Sequence, residues 1–359
     1  MRTFPHHARG FSLVEILVAM VIALLGTIII FQVFSVSEGI KRTSTSGGDA
    51  QQFGALSLFT IERDLRMAGY GFNNSRLLGC TVNAYDALAV PPDLPAFKLA
   101  PVVIAVGAND SIADAITLMY STSDLIANPA KITQNMPNPA SVYKVNNRFG
   151  FTEGDLIIAA EAGKACSLGQ VTGVPGGGLS DNVIHNPGNY TNANGVSVPA
   201  RYNKPAGLGV DYTTAGVIFN LGAGPVINTY RVGANQLVLD SGLAVSTLAL
   251  ADNIVLLKAQ YGKDTTADGS VDVYENTMPL TPTAADWAAI LTVRLAIVAR
   301  SAQPEKANVE GGACDATTAA PGWSGGTLVL SADPNWQCYR YRVFETTVPL
   351  RNLLWQQSS

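Results

Sequence analysis

The hydrophobic pattern of residues 11–67 is that of one long helix. No charged residue interrupts the 22-residue run from Ile16 to Ser37, which is long enough to cross a bilayer as an α-helix. Steps of three and four positions, the spacing of one helix face, then continue through Phe53, Leu56, Phe59 or Thr60, Arg63 and Met67. We therefore predict a single helix over residues 11–67, with residues 11–36 in the membrane and the rest packed on a head.

Glycines mark two places along this predicted helix. Gly47 and Gly48 predict a weak point or kink, because glycine costs about 1 kcal/mol in a helix interior. Gly69 and Gly71 follow Met67 and predict its end. The head then extends over residues 68–359.

The middle of the chain has the pattern of short strands. After Cys80, apolar runs alternate with Gly, Pro, Asn and Asp, which is typical of strands joined by turns. Two stretches rich in Pro, Asn and Gly, 120–147 and 173–208, are predicted to be loops. The predicted strands of this part are 102–106, 115–120, 155–160, 217–221, 226–232 and 236–239.

The last third predicts antiparallel strands with one face on a core. Residues 254–261 form an apolar run, and Thr283 with Asp286 predicts a short capped helix through Ile290. Residues 293–300 and 339–344 alternate between apolar or aromatic side chains and arginines, the pattern of a half-buried strand. We expect those arginines to be solvated or ion-paired. The fold class predicted is α+β, with a large antiparallel β-rich head.

Composition narrows the class of function. Charged residues make up 14% of the chain, and 34 glycines and 19 prolines indicate many turns. The net charge of −4 argues against nucleic-acid binding, which needs clustered Lys and Arg. We therefore expect no nucleic-acid partner.

The boundary in front of the apolar run carries an unusual group of residues. Gly10 precedes Phe11, and a lone acid, Glu15, follows five positions after the glycine. A carboxylate at the edge of a membrane helix is costly and needs a partner. Cleavage after Gly10 would give Phe11 a positive amine, and Glu15 would lie roughly 6 Å along the helix from it. The same carboxylate could pair with the amine of a neighbouring subunit.

These residues resemble the class III leader of type IV pilins and type II secretion pseudopilins. The resemblance implies that residues 1–10 are a leader peptide, that a prepilin peptidase cuts after Gly10, and that the new N-terminal Phe11 is methylated. It also implies a type IV pilin-like fold, in which Glu15 takes part in assembly.

Two further segments resemble the PilW group of minor pilins. They are Arg63–Gly71, at the end of the predicted helix, and Tyr341–Asn352, near the C-terminus. The resemblance implies a non-catalytic minor pilin that is held in the inner membrane with a periplasmic head before assembly. Its expected partners are other minor pilins, the major pilin and a large tip adhesin, in a complex that starts the pilus and remains at its tip. After assembly the chain is expected to be extracellular, in the pilus tip or shaft. The alternatives are a large pseudopilin of a type II secretion system and a tip-located adhesin.

Four cysteines predict disulfides in an exported chain. They are Cys80, Cys166, Cys314 and Cys338, and they allow three pairings. Because the turn at Pro321 lies between the last two, we pair Cys314 with Cys338 and Cys80 with Cys166.

One acidic segment, 264–275, predicts a structural calcium site. Its acids, glycine and aliphatic residue fit most positions of a twelve-residue EF-type loop, although Thr266 replaces the usual acid or amide. The alternative is an acidic turn at Asp268-Gly269. The predicted ligands are Asp264, Thr266, Asp268, Ser270, Asp272 and Glu275.

The sequence predicts no enzyme. The histidines are His6, His7 and His185, and the first two leave with the leader. His185 is expected to be an ordinary loop residue. The sequence contains no nucleophile elbow, phosphate-binding loop or zinc-protease motif.

Overall fold

A computed structural model describes residues 11–72, 74–124, 129–176, 181–243, 246–305 and 312–354 of the chain. Its helices are α1 (Leu13–Met67), α2 (Ala284–Ala288) and α3 (Arg351–Leu354). The 55 residues of α1 make it about 80 Å long at 1.5 Å per residue. It runs unbroken through Gly47 and Gly48, where the sequence predicts a kink.

Twenty-one strands make up the rest of the described regular structure, apart from two short 3₁₀ turns. In the first half they are β1 (Thr81–Tyr85), β2 (Asp93–Lys98), β3 (Val102–Ala105), β4 (Ala115–Tyr120), β5 (Ala130–Lys131), β6 (Tyr143–Val145), β7 (Leu156–Ala160), β8 (Cys166–Gln170), β9 (Asp181–Val183), β10 (Asn189–Thr191) and β11 (Ser197–Pro199). In the second half they are β12 (Val217–Gly222), β13 (Val226–Gly233), β14 (Gln236–Ser241), β15 (Ser246–Asp252), β16 (Ile254–Lys263), β17 (Val273–Glu275), β18 (Ile290–Arg300), β19 (Gly322–Trp323), β20 (Gly326–Thr327) and β21 (Tyr341–Pro349).

Three larger sheets organise the head. A six-stranded sheet has the order β2-β1-β8-β7-β12-β5, a five-stranded sheet has β15-β14-β13-β4-β3, and a four-stranded sheet has β17-β16-β18-β21. Neighbouring strands in these sheets are antiparallel, except that β1 and β8 run parallel. The predicted α+β class, a long N-terminal helix with an antiparallel β-rich head, is confirmed.

The four-stranded sheet is covered on both faces, which the sequence does not predict. Val293, Leu295 and Ile297 of β18 face the main core, as their alternation predicts. Val298 on the opposite face is also fully buried, in a smaller cluster with Leu328. The segment after β20 supplies that cover, so neither face of this part of β18 is left to solvent.

The six-stranded sheet likewise separates two cores. Ile158 and Ala160 of β7 belong to the main core, whereas Ile157 and Ala159 belong to a second one, together with Tyr143. A strand that is buried on both faces typically has a continuous run of apolar residues. Residues 156–160 fit this pattern, since their sequence is Leu-Ile-Ile-Ala-Ala.

Three predictions about local structure are wrong. The stretch 120–147 contains β5 and β6, and the stretch 173–208 contains β9, β10 and β11. These strands are only two or three residues long and contain polar residues, so their sequence pattern cannot be distinguished from that of a loop. The capped helix is predicted to continue through Ile290 but ends at Ala288. Ile290 is instead the first residue of β18, because its side chain is buried in the main core.

Candidate functional site

The N-terminal end of α1 is built around Ser12 and Glu15. The Ser12 hydroxyl accepts from the Val14 N–H at 3.2 Å, and Glu15 Oε2 accepts from the Ser12 N–H at 3.0 Å. This is a capping box, so the helix begins at Leu13 and Phe11 lies in front of it, 84% exposed. Gly10 lies outside the described residues. Ser12 is a residue that our sequence analysis missed, although its spacing to Glu15 is visible.

The membrane-spanning half of α1 is not packed against other described parts of the chain. Within the described part of the chain, α1 is the helix long and apolar enough to cross a membrane. Its most apolar stretch has a mean hydropathy of 2.8 and none of it is buried. Large side chains on all sides, from Leu13 to Ile40, are therefore available to lipid or to other helices.

The head half of α1 packs through its small residues. Ala50, Gly54, Ser57, Ile61 and Leu65 lie on the face turned to the sheets, and three of these five are Ala, Gly or Ser. A side-chain carbon on Gly54 would lie 2.1 Å from Cε2 of Phe344 in β21. Glycine at this position therefore allows this close approach of helix and sheet, because a side chain would have to displace the Phe344 ring.

The helix face predicted from the larger residues is mostly the wrong one. Phe53 packs partly against the core, but Leu56, Phe59 and Met67 are 51%, 63% and 43% exposed. The prediction fails because it weights large apolar side chains, whereas contact with the sheet selects small ones.

A buried carboxylate ties the end of α1 to the five-stranded sheet. Asp64 is 3% exposed, and its Oδ2 accepts from the Tyr230 hydroxyl at 2.7 Å and from Asn228 Nδ2 at 3.2 Å, both on β13. The Tyr120 hydroxyl of β4 lies 3.4 Å from Oδ1. Burial, and then the charge of Asp64, raise the pKa of Tyr120 to about 12. Burial and the bond to Asp64 also raise the pKa of Tyr230, so both phenols stay protonated as donors.

The two segments quoted for the PilW resemblance meet at this junction. The side-chain amide of Asn352 faces the last carbonyls of α1, with Nδ2 3.1 Å from the oxygens of both Met67 and Ala68. Gly71 has a φ of +89° and lies against Ser121, where a side-chain carbon would come within 2.4 Å. The C-terminal segment thus satisfies helix-end carbonyls that the helix itself cannot.

Both predicted disulfides are present. Cys80 bonds to Cys166 across 86 positions, and Cys314 bonds to Cys338 across 24. The first links the start of β1 to β8 beside it, and the second closes the loop that precedes β21.

The predicted calcium ligands from Asp264 to Asp272 lie in the loop between β16 and β17, and Glu275 is the last residue of β17. Asp264 accepts from the backbone N–H groups of residues 266–269. Asp272 accepts from the N–H and hydroxyl of Thr265, and these bonds lower the pKa of Asp272. Glu275 pairs with Lys263 at 2.8 Å. Among the described residues, no group of three or more His, Cys, Asp or Glu is placed to hold a metal, so calcium binding stays a prediction.

His185 is part of the second core region. Its ring stacks on Tyr143 with centroids 4.3 Å apart, and its Nε2 lies 2.8 Å from the Ser141 carbonyl oxygen. Burial lowers its pKa, which keeps the ring neutral at pH 7.

Both arginines of β18 have partners, and Arg342 of β21 is exposed. Arg294 lies 3.9 Å from the ring centre of Tyr274 and donates to Gln260. Arg300 forms an ion pair with Asp333 at 2.7 Å.

Two family models match this chain. A model for the prokaryotic N-terminal methylation motif matches residues 5–31, and a model for Type IV Pilus-assembly protein W matches residues 226–352. No curated protein and no solved structure matches the chain.

The methylation motif, the exposed apolar helix and the antiparallel head are consistent with a pilin-like fold, and the motif and helix fit anchoring in a membrane before assembly. The second match covers residues 226–352 and supports a PilW-type minor pilin of the type IV pilus. Its leader implies processing by a prepilin peptidase and interaction with other pilus components.

Proposed function

We propose that this chain is a non-catalytic subunit of the minor-pilin complex that initiates type IV pilus assembly and remains at the filament tip. Its partners there would be other minor pilins, the major pilin and a large tip adhesin. The observation that carries the proposal is the exposed Glu15 at the start of an uncovered apolar helix.

Glu15 is suited to a contact between subunits. Its Oε2 accepts from its own Ser12 N–H, but a carboxylate has two oxygens and about four acceptor sites. Cleavage after Gly10 would create a positive amine on Phe11 of a second subunit, and that amine could bind the same carboxylate. In a low-dielectric surrounding such a pair is stronger than in water, so it would favour one axial register between neighbouring helices.

The uncovered helix favours assembly over a permanently isolated anchor. Its membrane half is exposed throughout, and Leu56, Phe59 and Met67 extend that apolar surface along the head half. Moving this helix from lipid into a filament lets other helices replace the lipid contacts. The hydrogen bonds at Asp64 and Asn352 would hold the head in one orientation on α1 during that movement.

The size of the head favours a place at the end of the filament. Its six-stranded sheet, built from residues 81–222, precedes the segment that matches the PilW model. A bulky addition of this kind is easier to accommodate at a tip than at every repeat of a shaft.

A deletion strain tests the proposal against its alternatives. We expect few or no surface pili, with restoration by the wild-type gene. Normal pili with lost protein secretion would instead identify a type II secretion pseudopilin. Normal pilus numbers with lost adhesion would identify an adhesin.

A further inference from the structure

A cavity at one end of the four-stranded sheet is separate from the helix junction. It has a volume of about 210 Å³. Val255 and Leu256 of β16 and the segment 329–330 form apolar walls, and Arg300, at the end of β18, contributes its guanidinium group. Tyr341, the first residue of β21, completes the polar side.

Arg300 is held rigidly in this cavity. Its Nη1 donates to Asp333 Oδ2 at 2.7 Å, and its guanidinium carbon lies 4.1 Å from the ring centre of Tyr339. The side chain is only 13% exposed. Its Nε–H is enclosed and has no acceptor within the part of the chain that the structure describes. A buried donor without an acceptor is costly, so the site favours a ligand that brings an oxygen.

Of the other polar groups in the cavity lining, Asp333 is already paired with Arg300, whereas Tyr341 and Asn235 offer hydrogen-bond donors. Both oxygens of Asp333 already accept hydrogen bonds, Oδ2 from Arg300 and Oδ1 from the Asn335 N–H at 2.9 Å. Burial raises the pKa of Tyr341 to about 12. Its hydroxyl therefore stays protonated at neutral pH and can donate a hydrogen bond. Asn235 adds an amide group at the rim.

We propose that this cavity binds a carboxylate, presented either by a small organic acid or by an acidic side chain of a polypeptide. The planar guanidinium offers adjacent N–H groups that match the two oxygens of a carboxylate. Because the cavity is smaller than the roughly 300–1,000 Å³ of typical ligand pockets, it suits a group of side-chain size. The site does not depend on pilus assembly, so its failure and the failure of the proposed function are separate results.

Titration calorimetry on the full-length protein in detergent tests this site. The ligands are propionate, its neutral amide propionamide, and a short glycine-flanked peptide with blocked termini and one internal glutamate. We expect heat from an acid, with binding of the amide roughly tenfold weaker or undetectable. Tighter binding of the peptide than of propionate would identify a polypeptide source, and the reverse order would identify a small acid.

Variants show whether Arg300 is responsible. Arg300→Gln should abolish the heat and Tyr341→Phe should weaken binding, whereas Arg342→Gln, the same change at an exposed arginine of β21, should leave it intact. The proposal is overturned if neither acid binds up to roughly 10 mM, or if acid and amide bind equally. Wild-type affinity in a folded Arg300→Gln protein would also overturn it. Should that variant fail to fold, unchanged affinity in Tyr341→Phe decides against the site.

Discussion

Asp64 Oδ2 lies 2.7 Å from the hydroxyl of Tyr230, and this hydrogen bond joins residues 166 positions apart in the sequence. One residue belongs to the last turn of α1 and the other to β13. The bond is buried, and it fixes the angle at which the long helix leaves the head.

Removing this carboxylate should destabilise the head. Asp64→Ala leaves the Tyr230 hydroxyl and the Asn228 amide without their acceptor, which should cost about 1–3 kcal/mol. Thermal unfolding of the full-length protein in detergent measures the loss. Glu62→Ala is the matched control, because its ion pair with Arg66 is more exposed and should contribute roughly 0–1 kcal/mol. Equal melting temperatures for both variants would contradict the role of Asp64.

Gly54 should be intolerant of a substitution that normally stabilises helices. Gly48→Ala, at a position with open space around it, should stabilise α1 by about 0.5–1 kcal/mol. Gly54→Ala should destabilise by about 1–3 kcal/mol, because the new methyl group meets the Phe344 ring. Both are measured by thermal unfolding. If Gly54→Ala stabilises the protein as much as Gly48→Ala does, the packing of α1 on β21 does not depend on glycine at position 54.

The long helix and the C-terminal strands could be predicted because their patterns are local. An uncharged run of 22 residues has few alternatives, and the alternation along β18 is visible without its neighbours. The cap formed by Thr283 and Asp286 could also be recognised from its spacing, and the structure contains it.

The packed face of α1 and the sheet order could not be predicted, because long-range contacts decide them. Nothing near Asp64 in the sequence points to Tyr230, and nothing near Gly54 points to Phe344. If the packed face of α1 is shifted by one residue, Ser57 rather than Leu56 contacts the sheets. Which face packs is decided by β21, a strand almost three hundred positions away in the sequence.

The calcium prediction can be decided by titration. Calcium binding requires the loop acids to exchange their present N–H and Lys263 partners for the cation, and we expect weak binding, in the roughly 10⁻⁴–10⁻³ M range. The prediction is heat on adding calcium, a higher melting temperature than in EGTA, and loss of both in Asp268→Ala. If neither heat nor a melting shift occurs, the segment is an acidic turn organised by Asp264.

Glu15 should matter for assembly rather than for membrane insertion. Glu15→Val removes a costly acid from the membrane edge, so the amount of membrane-inserted protein should stay the same or rise. Incorporation into pili, measured by blotting sheared filaments, should fall severalfold because the Phe11 amine of the neighbour loses its counter-charge. Glu15→Gln separates two roles, since it retains an acceptor for the Ser12 N–H but carries no charge. Normal incorporation of both variants would show that the carboxylate has no role in assembly.

Mass spectrometry of this chain in sheared pili tests the central claim most directly, because it reports processing and assembly in one peptide. The expected N-terminal peptide begins at an N-methylated Phe11, and Gly10→Val should remove the protein from the filament fraction by blocking cleavage. Recovery of an intact Met1 leader in assembled filaments, or absence of the wild-type chain from pili that form normally, would contradict a processed minor pilin.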